Sequence, residues 1–144
     1  MLVQQILQGK PNHEITTISS KKTVADAASV LSNKRIGALV VSDDGETVAG
    51  MLSERDIVRE LGKRGATCMA DLVADLMTKA VSTCAKTDTA DAVLKVMTDG
   101  RFRHLPVMEG GKMIGLISIG DVVQARLAEV EMENKALEGM IKGF

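Results

Sequence analysis

The sequence predicts a mixed fold of the α+β (α/β) class: two tandem β-α-β-β-α repeats packed sheet to sheet with pseudo-twofold symmetry, followed by a long C-terminal helix. Three observations predict it. Segments of the first half recur, in order, in the second. Within each copy the apolar pattern switches between short strand-like runs and a helical period. A unit of about 60 residues buries too little surface to stand alone, so two copies are expected to share a core.

The repetition is explicit. Val24-Ala25-Asp26-Ala27-Ala28 matches Thr89-Ala90-Asp91-Ala92-Val93. Arg35-Ile36-Gly37-Ala38-Leu39-Val40-Val41 matches Arg101-Phe102-Arg103-His104-Leu105-Pro106-Val107. Gly50-Met51-Leu52-Ser53-Glu54-Arg55-Asp56 matches Gly115-Leu116-Ile117-Ser118-Ile119-Gly120-Asp121. The offset is about 65 residues with one residue of slippage, and three ordered matches mark a duplicated unit.

Each copy opens with a short extended piece, residues 14–18 or 80–84. A helix follows, with Thr23 and Asp26, or Asp88 and Asp91, read as an N-cap and an acidic third position. Val24, Ala27, Ala28 and Leu31 form its apolar stripe, as do Ala92, Val93, Val96 and Met97 in the second copy. An apolar strand comes next, 38–41 or 105–108, then a turn at Asp43-Asp44-Gly45 or Glu109-Gly110-Gly111. A second strand runs over 47–52 or 112–117, and a second helix starts at Ser53 or Ser118. Residues 62–72 link the halves, which divides the chain into repeats at 1–66 and 67–144, the latter with the helical extension.

From Ile119 the pattern is helical to the end of the chain. Val123, Leu127, Val130, Leu137 and Ile141 recur at steps of three and four with Asn134 in the same stripe, a short heptad-like seam. The helix either lies on its own module or pairs with a second subunit, where Asn134 would fix register.

Composition narrows function. The chain has 144 residues, a formal net charge of -1 and an aromatic content of 1%. Single-stranded nucleic acid is usually held by basic grooves and stacked aromatic rings, so neither nucleic acid nor an anionic membrane is an expected partner. Cys68 and Cys84 have neither CxxC spacing nor nearby histidine partners, and no metal site is expected. No basic start with a long apolar run opens the chain, and no stretch approaches the ~20 apolar residues of a membrane span. The expectation is a cytoplasmic protein.

The segment Gly-apolar-apolar-Ser-x-x-Asp occurs twice and carries the chemistry. One reading is purely structural: Ser53 or Ser118 caps a helix, and Asp56 or Asp121 sits in its first turn. The other is a site. A serine at a helix start lies beside backbone N–H groups and the positive end of the dipole, where phosphate oxygens bind. An aspartate one turn on can offer two oxygens to two ribose hydroxyls. The two roles do not exclude each other. Likewise Arg101 and Arg103 are either solvated surface or phosphate ligands, His104 is either a half-buried strand residue or part of the site, and Ser53-Glu54-Arg55-Asp56 could be an ion-paired helix start. His13, beside Pro11 and Asn12 in an expected loop, is given no role.

These elements, in this order, resemble the cystathionine-β-synthase (CBS) domain, two of which in tandem form the CBS pair or Bateman module. The resemblance runs from about residue 3 to 127. It is to stand-alone bacterial CBS-pair proteins, with Ser-Glu-Arg-Asp in the first repeat and Ser-Ile-Gly-Asp in the second. It implies two quasi-equivalent clefts, each lined by both repeats. One would join Ser53 and Asp56 to Lys79, Val81, Phe102, Arg103 and His104, with Arg55 and Arg101 nearby. The other would join Ser118 and Asp121 to Glu14, Thr16, Ile36, Gly37 and Ala38. The ligands it implies are AMP, ADP, ATP, NAD and S-adenosylmethionine, and the assembly it implies is a homodimer.

Because guanidinium groups pair well with phosphate, the arginine-rich cleft is expected to bind a nucleotide more tightly, AMP first. The Gly37/Ala38 cleft is expected to carry less charge and more room, and to stay empty or take a second or larger adenine ligand. The expected function is an adenine-nucleotide-binding regulatory module, sensing energy or redox state and signalling to an unknown effector protein. No nucleophile–base pair or acid–base pair is evident, so no enzyme and no catalytic cofactor are expected. The competing reading is a ligand-free structural or protein-interaction module.

Overall fold

The computed structural model of the chain describes residues 1–11 and 13–142. The loop reading at Asn12 and the helical reading at 143 and 144 lie outside the described residues. The elements are α1 (Val3–Gln8), β1 (Thr17–Ile18), α2 (Val24–Lys34), β2 (Ala38–Val41), β3 (Gly50–Ser53), α3 (Glu54–Arg64), a 3₁₀ segment (Gly65–Ala70), α4 (Val73–Leu76), β4 (Cys84–Ala85), α5 (Ala90–Gly100), β5 (His104–Glu109), β6 (Lys112–Ser118) and α6 (Ile119–Lys142). The β-α-β-β-α order holds in both halves. The short helices α1 and α4, each of one or two turns, left no readable period in the sequence.

Each half forms a three-stranded sheet with the same connections. β1 runs parallel to β2, and β2 antiparallel to β3; β4, β5 and β6 repeat this. The register puts Ala38 opposite Ser53 in one sheet and His104 opposite Ser118 in the other. By the internal repeat Ala38 is therefore equivalent to His104, and Ser53 to Ser118.

Local side chains explain where elements begin. Thr23 accepts from the Asp26 amide at 3.1 Å and the Asp26 carboxylate accepts from the Thr23 amide at 3.2 Å, a complete capping box. In the second half the cap falls one residue later than expected. Asp88 accepts the Ala85 amide at 2.8 Å to hold the preceding turn, and Thr89 takes the cap from the Ala92 amide at 3.1 Å. The buried face of α5 shifts with it to Ala90, Val93 and Met97, leaving Ala92 and Val96 exposed. Strand β3 starts at Gly50 rather than 47, because the Asp44 carboxylate accepts from the Glu46 and Thr47 amides at 2.8 and 2.7 Å and bends the chain. Both α2 and α5 end on an arginine in the left-handed region, Arg35 at φ 54° and Arg101 at φ 57°. That conformation is costly for a residue with a side chain and places two arginines immediately before the strands of the cleft.

The expectation of one shared core is corrected. There are two buried clusters, one per sheet. The halves are joined by exchange: α1 contributes Val3 and Ile6 to the core of the second half, around Val93, Met97, Leu105, Val107 and Ile117. In return Val73 of α4 enters the core of the first, with Leu39, Val41, Leu52 and Ile57. Matching backbone bonds fix both exchanges. The Val3 amide donates to the Asp88 carbonyl and the Ala90 amide to the Met1 carbonyl, both at 2.9 Å. The Val73 amide donates to the Lys22 carbonyl and the Val24 amide to the Asp71 carbonyl, both at 2.8 Å. Each sheet has three short strands, and covering it with a helix from the other end of the chain buries apolar surface that its own repeat cannot reach.

Equivalent glycines admit the crossing segments. A Cβ on Gly50 would lie 2.7 Å from the Met77 sulfur and 2.8 Å from the Thr78 carbonyl oxygen, and one on Gly115 would lie 2.9 Å from Leu7. Gly50→Ala is therefore expected to lower stability by about 1–3 kcal/mol, read as a lower urea midpoint at unchanged slope.

Candidate functional site

The main cavity, about 580 Å³, opens between the halves. One wall is the β3–α3 corner. The Ser53 hydroxyl accepts from the Asp56 amide at 3.3 Å, and the Asp56 Oδ2 accepts from the Ser53 amide at 2.9 Å and its hydroxyl at 3.1 Å. The capping role is thus real, and the same two side chains line the cavity. The facing wall is Phe102, Arg103 and His104 at the start of β5, with Val81 completing the floor. The Phe102 ring lies where a Cβ on Gly100 would be, 2.0 Å from its ring edge, so the glycine makes room for it.

The sequence-based list is largely brought together. Ser53, Arg55, Asp56, Val81, Arg101, Phe102, Arg103 and His104 all line this cavity. Lys79 does not; its neighbours Thr78 and Ala80 do. Gly37, assigned to the other cleft, lines this one, and Ala38 lines both. Arg59 was missed. It pairs with the Asp56 Oδ1 at 3.3 Å from one helical turn further on, a spacing that could have singled it out.

Four arginines, Arg55, Arg59, Arg101 and Arg103, thus meet two carboxylates, Glu54 and Asp56, around one cavity. Among the described residues, only Arg59 of the four is in an ion pair. The backbone of the helix start is less available than expected. The Glu54 amide donates to the Gly37 carbonyl at 2.9 Å, and the Asp56 amide is held by Ser53. The second corner repeats this, with the Ile119 amide on the Arg103 carbonyl at 2.8 Å and the Asp121 amide on the Ser118 hydroxyl at 3.1 Å. With two of the first α3 amides engaged, the guanidinium groups are the charged donors that this cleft presents.

The second cavity, about 300 Å³, is the smaller, which reverses the expectation of more room. Ser118, Glu14, Thr16, Ile36 and Ala38 line it, together with Lys10 and His13. The stretch from 13 to 16 follows this cavity instead of extending β1, which is why the first strand is shorter than expected. Asp121 is not on the lining; its Oδ2 accepts from the Ser118 amide and from the Lys10 ammonium, both at 2.9 Å. Burial pushes its carboxyl up, but those donors outweigh burial and hold it below the ordinary range.

Ala38 and His104 line both cavities, as their equivalent positions in the two sheets require. His104 is half-buried, and burial first, then the charges of Lys10 and Arg103, depress its basicity against the opposing pull of Asp121. Among the described residues no group of three or more metal-binding side chains gathers, and no helix is long and apolar enough to cross a membrane.

Comparison with known proteins gives one answer. The CBS-domain model matches residues 3–63 and 73–128. The chain is similar to the crystal structure of the CBS-domain containing protein ATU1752 from Agrobacterium tumefaciens, with 41% identity and a TM-score of 0.83, covering 88% of this chain and 99% of that one. It is similar to the mitochondrial CBS domain-containing protein CBSX3 of Arabidopsis thaliana, 38% identical over 126 residues that span 84% of this chain and 61% of the relative. It is also similar to CBSX2, solved in complex with AMP, at 28% identity and a TM-score of 0.72, covering 88% of this chain and 96% of that one.

The environment of His104 makes a checkable statement about pH. Its neutral form is favoured by folding, so its contribution to stability is complete above its ordinary value of 6.5 and declines as pH falls below it. Followed by NMR, the His104 ring should titrate below 6.5, and Lys10→Met should move it upward by removing a neighbouring positive charge.

Proposed function

Because this chain belongs to the CBS-domain family, we propose that it is a regulatory module that binds an adenine nucleotide in the arginine-rich cleft, with AMP as the preferred ligand and ATP, ADP or NAD as alternatives. One observation carries the reading: the capped Ser53–Asp56 corner of one repeat and the Phe102–His104 strand of the other close on a single cavity with an excess of arginine. A phosphate monoester carries about -1.5 to -2 charge at pH 7, which the unpaired Arg55, Arg101 and Arg103 are suited to neutralise. The Asp56 carboxylate sits where it could accept from a ribose diol, Arg59 being an exposed partner that can give way. The AMP complex of CBSX2 supports an adenosine ligand.

The module acts by binding and not by catalysis in this reading, in the cytoplasm, with its output passed to a separate effector protein. Ligand would bias the two halves, which share the cleft walls but not a core, between arrangements. A homodimer is the assembly we favour. Val123, Leu127, Val130, Leu137 and Ile141 are all exposed along one stripe of α6, with Asn134 among them.

Two measurements test this. AMP should raise the melting temperature, and Arg103→Ala should weaken AMP binding by calorimetry roughly tenfold or more, the worth of one charge-assisted hydrogen bond. Equal affinity of variant and parent would remove the assignment. Light scattering at micromolar concentration should give the mass of a dimer, and Leu127→Glu with Leu137→Glu should give a monomer that still binds AMP.

A further inference from the structure

The second cleft is not a weaker copy of the first; one of its side chains is already engaged by the chain itself. The Lys10 ammonium donates to the Asp121 Oδ2 at 2.9 Å and to the Leu116 carbonyl at 3.0 Å. Its side chain is 27% exposed and that of Asp121 22%. In the first cleft the cation on the equivalent Asp56 is Arg59, 62% exposed, at 3.3 Å and through the oxygen that Ser53 does not use. The contrast follows from how the exchanged segments are laid down. Leu7 packs on Gly115 as Met77 packs on Gly50. Three residues beyond each contact stand Lys10 in the second cleft and Ala80 in the first. Counted from the glycine contact, an ammonium thus stands on one cleft where a methyl group stands on the other.

We infer that Lys10 is an internal competitor for the second cleft: it occupies the carboxylate that a ribose diol would need, so that the chain takes one ribonucleoside in the first cleft and excludes it from the second. The inference rests on the reading of Asp56 and Asp121 as sugar-binding positions. A neutral hydroxyl pair cannot replace a cation on a partly buried carboxylate without leaving that charge uncompensated. The pair also joins residues far apart in sequence, and the Leu116 carbonyl accepts from the same ammonium. It does not yield as a surface i,i+3 pair does. The smaller volume of this cavity, about 300 Å³ against about 580 Å³, acts in the same direction.

Adenosine is the probe, since it has the diol and no phosphate. Calorimetry on the parent, Lys10→Ala, Lys10→Gln and Lys10→Arg counts sites per chain. The alanine and glutamine variants are expected to show one site more than the parent, with affinity at the second cleft raised at least tenfold, and the arginine variant to match the parent. If neither neutral variant gains a site, or if the parent already fills two, the inference is overturned. The count separates this from the first-cleft reading. A parent with no site and an alanine variant with one would remove the first-cleft reading and retain the role of Lys10. One site in both would do the reverse.

Discussion

The structure depends on a reciprocal loan of backbone. Neither three-stranded sheet buries enough on its own, so α1 covers the second sheet and α4 the first. Two pairs of backbone hydrogen bonds and two glycines fix the exchanges. The consequence for the site is direct. Once each half is covered by a segment from the other, the two strand-to-helix corners must lie on either side of a common seam. The cavities open along that seam, and their walls come from both repeats.

Within that frame, the residues that cap α3 are also residues of the cavity wall. Ser53 and Asp56 satisfy each other's amides, and so hold the hydroxyl and carboxylate at the cavity wall with little freedom to move. The cost is that the Glu54 and Ile119 amides are already used by the Gly37 and Arg103 carbonyls, and the Asp56 and Asp121 amides by the two serines. The site is therefore an arginine site more than a helix-dipole site. Arginine suits that place: it remains charged, it reaches from exposed positions, and its fork matches phosphate oxygens.

The internal symmetry is kept by the backbone and broken by side chains. Ala38 and His104 are equivalent in register, and each lies on both cavities. Gly37 and Arg103 are equivalent, and Lys10 follows the Leu7 contact on Gly115 at the interval at which Ala80 follows the Met77 contact on Gly50. These substitutions collect guanidinium groups in one cleft and put an ammonium–carboxylate pair in the other. A duplicated fold thus carries two chemically distinct clefts with no change in topology.

The sequence by itself determined the β-α-β-β-α duplication, the strand at 38–41, the Thr23 and Ser53 caps, and the Ser53–Asp56 and Arg101–His104 walls of the arginine-rich cleft. Those features are written locally, in periodicity, in capping residues three apart and in motifs that recur at a fixed offset. Tertiary structure alone decided the separate cores, the exchange of α1 and α4, the smaller second cavity and the bond from Lys10 to Asp121. The exchanged helices are too short to show a period, and the two acceptors of the Lys10 ammonium lie 106 and 111 residues away in sequence. Which residues a long-range packing brings together depends on how two half-formed cores complete each other. That is a property of shape and volume, which no local pattern encodes.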